Sequence, residues 1–178
     1  EWHLSKLKTL FGDTTPVDAF YFGTEPTPPG TVGQYQNNAQ GSLFSPEIDL
    51  SDPALVGDID VVIDHYLRSE SGFDFADIYV NTSEGERVLI DRLDGSTGGF
   101  TFNRYSLNAY RGQLITLEFE FTSDGSVTEE GWFIDYIAVE VERGVEQVIV
   151  NTVPQNGFKK NVELGSSLPT CSETNDFG

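Results

Sequence analysis

The sequence predicts an all-β fold, a β-sandwich of two antiparallel sheets, and three observations carry that expectation. Short runs rich in Val, Ile, Phe, Tyr and Thr recur along the chain, separated by clusters of Gly, Pro, Asp and Ser. Several runs alternate apolar and polar residues, which sets one face of a strand against a core and the other toward water. No segment sustains the 3.6-residue apolar stripe of a helix. At 178 residues the chain is long enough to bury most of its apolar side chains in one domain.

Strands are expected, in order, at residues 2–6, 19–22, 41–44, 59–67, 76–82, 87–92, 100–103, 114–121, 132–141 and 146–150. The stretch TEPTPPGTVG between the second and third is a long proline-rich loop, because proline lacks an amide donor and fixes φ. In 59–67, Ile59, Val61, Ile63 and Leu67 share a face with His65, while Asp60, Asp64, Tyr66 and Arg68 lie opposite with Val62. His65 is thereby read as a core histidine. The loops SESGFD, LDGSTGG and SDGSVTEEG divide the later strands with residues that favour turns or positive φ. In 114–121, Ile115, Leu117, Phe119 and Phe121 face in and Thr116, Glu118 and Glu120 face out.

The strand GWFIDYIAVEV carries the one anomaly. Strict alternation puts Phe133, Asp135, Ile137, Val139 and Val141 on one face and Trp132, Ile134, Tyr136, Ala138 and Glu140 on the other. Asp135 is then expected inside, where a carboxylate needs backbone donors, a base, a metal ion or a proton. From Asn151 onward Asn, Gly, Ser and Lys dominate, although Val153, Phe158, Val162 and Leu164 offer places for that segment to dock. The expected organisation is a sandwich domain over 1–145, then a last strand with a C-terminal tail or interdomain connector over 146–178.

Charge narrows the partners. Ten Lys and Arg stand against 29 Asp and Glu, for a formal charge of -19 and a pI near 4.1. Nucleic acid and anionic membrane surfaces are disfavoured, divalent cations favoured. No run approaches the ~18 apolar residues of a membrane span, so no membrane insertion is expected. Cys171 has no second cysteine to pair with, and His3 and His65 stand far from it in sequence, so neither a disulfide nor a zinc cluster is expected. The lack of methionine and the start at Glu1 read as a domain cut from a larger precursor.

Catalytic signatures are missing: no GxSxG, HExxH, GxxxxGKS or dinucleotide fingerprint occurs. Acid pairs suited to glycoside hydrolysis exist, but among 29 acids some pair always qualifies. The chain is read as not an enzyme. Calcium asks for six to eight hard oxygens. Asp135, Glu130 beside Gly131, and the Glu70, Asp74 and Asp77 group around Gly72 are the candidate ligands. A sugar reader would instead use aromatic rings, and Tyr66 and Tyr79, which share the polar parity of adjacent strands with Asp64, Arg68, Asp77 and Asn81, are the residues expected to form an exposed platform. Trp132 is assigned to the core.

The segments WHLS, AFYFGTE, GSLFSPEIDL, FADIYVNTSEGE and EEGWFIDYIAV occur in that order over about residues 1–142. Together they resemble the jelly-roll domains appended to secreted bacterial peptidases of the immune inhibitor A type and to surface proteins, related in form to meprin/A5/mu domains. The resemblance implies a jelly-roll sandwich that is extracellular or at the cell surface, non-catalytic, calcium-bearing, and engaged in adhesion, spacing or substrate positioning beside flanking domains of a larger protein. The family pattern places two acids after the Trp, aromatic, Ile triplet. Here Tyr136 takes the second position, giving IDYI. That variant is also similar to the closing strand of calcium-bearing jelly-roll carbohydrate-binding modules, where an Asp helps to hold a structural ion. The alternative reading is thus a carbohydrate-binding module whose partner is a glycan or surface polymer.

Overall fold

The computed structural model describes residues 2–6, 18–26, 33–143 and 146–152. Cys171, Val153, Phe158, Val162 and Leu164 lie outside them. Eleven strands are formed among the described residues: β1 Trp2–Ser5, β2 Ala19–Phe22, β3 Gln40–Phe44, β4 Ile48–Asp49, β5 Leu55–Arg68, β6 Phe75–Thr82, β7 Arg87–Leu93, β8 Thr101–Ser106, β9 Leu114–Thr122, β10 Gly131–Arg143 and β11 Glu146–Thr152. One sheet runs β1-β2-β10-β5-β8, with β11 also paired to β10; the other runs β3-β9-β6-β7, with β4 paired to β9. All pairs are antiparallel. The protein is a β-sandwich.

The alternation predicts the core well. Ile59, Val61, Ile63 and Leu67 of β5 meet Ile78 and Val80 of β6 and Ile115, Leu117, Phe119 and Phe121 of β9 in one apolar cluster. Trp132 lies fully buried among them, edge-on to Phe119 at 5.9 Å between ring centroids and tilted against Trp2 at 5.5 Å. Its indole Nε1 donates to His65 Nδ1 at 3.1 Å. Burial lowers the His65 pKa to about 4, so the ring is neutral at pH 7 and accepts that bond. His65 is a core residue, as its parity implies.

Strict alternation fails at the centre of β10. Ile134 pairs with His65 and Tyr136 with Asp64, which leaves Asp135 as an extra residue in a β-bulge. The bulge exchanges the parities. Before it, Trp132 and Ile134 point into the core; after it, Ile137, Val139 and Val141 do. Phe133 faces outward, stacked on Tyr21 with centroids 3.9 Å apart, in a small second apolar cluster on the outer face of the sheet. Asp135 is therefore half-buried on that outer face, which corrects the expectation that it points into the core.

Two boundaries also differ from the alternation. β5 begins at Leu55 rather than at 59, accommodated by a second register shift where Val141 pairs with Ile59 but Glu142 with Val56. The two-residue β4 is too short to show any periodicity.

Candidate metal centre

The loop joining β5 to β6 crosses from one sheet to the other, and its tight turn is built on Gly72 at φ +83°. The Phe73 and Asp74 amides both donate to Glu70 O, at 3.3 and 3.0 Å, closing one turn that draws Glu70 and Asp74 together. Ser69 Oγ donates to Asp74 O at 3.1 Å and fixes the turn from below. Asp74 is fully buried. Its Oδ2 accepts from Tyr35 OH at 2.5 Å and its Oδ1 from the Asp124 amide at 2.7 Å. Tyr35 OH in turn accepts from the Glu70 amide at 3.1 Å.

Asp124 arrives from the β9–β10 loop. Its carbonyl accepts from the Asn38 amide at 2.6 Å, and its Oδ1 from the Ser126 amide at 2.9 Å. Three segments distant in sequence therefore meet at one end of the sandwich. Glu70, Asp74 and Asp124 each offer a carboxylate oxygen, and the three lie within 4.8 Å of one another. Oxygens sharing one calcium ion at 2.3–2.6 Å are separated by at most about 5 Å, so the spacing suits that ion.

Electrostatics point the same way. Glu70 Oε2 is buried without a hydrogen-bond partner. Burial, with Asp124 and Asp74 alongside, raises the Glu70 pKa. None of the three acids is in an ion pair among the described residues. A divalent cation would supply the missing positive charge and satisfy the orphaned oxygen. Among the described residues these three carboxylates are a group that could hold a metal ion.

Of the expected ligands, Asp74 and Glu70 are in the cluster. Both come from the β5–β6 loop, and Asp124 was legible only as one acid in the turn segment SDGSVTEEG. Asp77 is elsewhere: Arg92 donates to both its oxygens, at 2.8 and 2.7 Å, and Tyr79 OH reaches Oδ2 at 3.0 Å. Glu130 is buried and its Oε2 accepts from Tyr66 OH at 2.6 Å. Its carbonyl accepts from Tyr21 OH at 2.8 Å. Asp135 sits at the outer-face bulge described above.

The tyrosine platform is not formed. β5 and β6 lie in different sheets, so Tyr66 and Tyr79 face out on opposite sides of the sandwich. Tyr66 packs against Phe100 and Phe133, with centroids 6.1 and 5.9 Å away. Tyr79 carries the Arg87 guanidinium 3.5 Å above its ring. The connection between the two strands crosses the sandwich instead of making a hairpin, and polar parity alone cannot distinguish these cases.

No family model matches the chain. It is 31% identical over 110 residues to Bacillopeptidase F of Bacillus subtilis, a match covering 61% of the chain and 7% of that protein. It is 26% identical over 82 residues to Immune inhibitor A of Bacillus thuringiensis, covering 41% of the chain and 12% of that protein. A third match, to Pre-pro-metalloprotease PrtV of Vibrio cholerae, is 29% identical over 70 residues, 39% of the chain and 8% of the protein. The chain thus corresponds to a small part of each of these much larger proteins.

Proposed function

We propose that this chain is a non-catalytic, extracellular accessory module of jelly-roll type, stabilised by a structural calcium ion held by Glu70, Asp74 and Asp124. Its role is adhesion, spacing or substrate positioning beside a larger protein's active domain. The observation that carries the ion is the buried Glu70 Oε2 with no partner, set against two further carboxylates and no base. Partial similarity to three proteins, two of them named as peptidases and each many times longer than the matched segment, supports the accessory role. The absence of a membrane-spanning helix among the described residues is compatible with it. A sugar-reading role is less well supported, because its two tyrosines are on opposite sides of the sandwich.

An ion that binds only the folded state raises stability by mass action, about 2.7 kcal/mol at a hundredfold excess over Kd. Calcium should therefore raise the melting temperature over that in chelator, and Asp124→Asn should abolish most of the difference. An identical melt in calcium and in chelator would refute the ion. Turnover of casein or polysaccharide pools by the isolated chain would refute the non-catalytic role.

A further inference from the structure

A second acidic site lies on the outer face of the β10-β5-β8 sheet, at the bulge. Val62, Asp64, Phe102, Arg104, Asp135 and Tyr136 line an open cleft of about 580 Å³ there. Asp64 forms its floor: the residue is 4% exposed, and its Oδ1 has no hydrogen-bond partner. The bulge brings Asp135 and Tyr136 together opposite Asp64, so two carboxylates face one space. Arg104, the base lining the cleft, is engaged by other acids. Arg104 donates to Asp60 Oδ2 at 3.0 Å and to Glu140 Oε2 at 2.6 Å, which holds its guanidinium on those acids. Asp18, paired with Lys6 at 3.2 Å, adds further negative potential at Asp135. At the rim Phe102 is 68% exposed, an unusual position for a phenylalanine.

Two unneutralised carboxylates below the exposed Phe102 ring form a complementary set for an organic cation. Carboxylates supply charge-assisted acceptors, and Phe102 supplies a ring face for the cationic head and its methylene stem. A hydrated divalent ion would gain nothing from the aromatic rim, and an uncharged sugar would leave Asp64 uncompensated. We propose that this cleft receives a basic side chain, a lysine or arginine presented by a protein partner, with Asp64 and Asp135 as its acceptors. The site is separate from the Glu70 cluster and does not depend on an ion there.

The test is a ¹⁵N-resolved NMR titration of the chain with Nα-acetyl-lysine methylamide, using the norleucine analogue and calcium chloride as controls. The lysine derivative should shift the amides of Phe102, Asn103, Asp135 and Tyr136 saturably, with affinity on the order of millimolar for so small a ligand. Asp64→Asn should weaken it about tenfold or more, since one acceptor of a desolvated charge pair is lost. Phe102→Ala, a change at an exposed rim, should weaken it severalfold while leaving the remaining resonances in place. Equal shifts from norleucine, shifts from calcium but not lysine, or no saturable shift would each overturn the proposal.

Discussion

Asp64 shows how one residue couples fold and binding. Parity assigns it to the polar face of β5, yet at the floor of the outer-face cleft the side chain is buried. Burial, with Asp135 beside it, raises its pKa to about 6. A carboxyl with a folded pKa above its unfolded value costs stability wherever it is ionised, so the protein should gain stability as pH falls through 6 toward 4. Asp64→Asn removes that cost. In chelator at pH 7.5 the substitution should raise stability by roughly 1–3 kcal/mol, read as a higher urea midpoint with unchanged slope. A lower midpoint would mean that Asp64 has a partner whose attraction outweighs its desolvation.

At the scale of the element, β10 shows what a sequence does and does not disclose. Its existence, its central place and the burial of Trp132 follow from a run of aromatic and branched residues after glycine. The face taken by Asp135 does not, because period-two counting assumes an unbroken ladder and a bulge reverses it midway. The start of the strand depends on Gly131. That residue has φ +105°, and a Cβ there would lie 2.2 Å from Phe22 O. Gly131→Ala must therefore strain the backbone and push β10 from β2, costing about 2–4 kcal/mol. The same change at Gly99, which has open space around it, should shift the urea midpoint little. Comparable midpoints for the two variants would show that the β2–β10 approach relaxes without cost.

Across the whole molecule, the sandwich and its core were legible because alternation is local, whereas the meeting of Glu70, Asp74 and Asp124 was not, because topology alone brings residues 70 and 124 together. The distribution of acids has a global consequence. With a charge of -19, the chain repels itself at neutral pH, and protonation toward the pI of 4.1 relieves that repulsion together with the cost of ionised Asp64. Glu118 acts in the opposite direction. Burial alone would raise its pKa, but hydrogen bonds from Arg87, Asn81 and Ser42 prevail and lower it to about 2. Its contribution is complete above the ordinary carboxylate pKa and is lost as pH falls from about 4.5 toward 2. Stability in chelator should consequently peak near pH 5, with a gentle fall on the alkaline side and a steeper one below pH 4. Melting curves from pH 3 to 8 give the test. Asp64→Asn should flatten the alkaline limb and Glu118→Gln the acid limb, and a profile that rises steadily to pH 8 would show that neither carboxylate governs the balance.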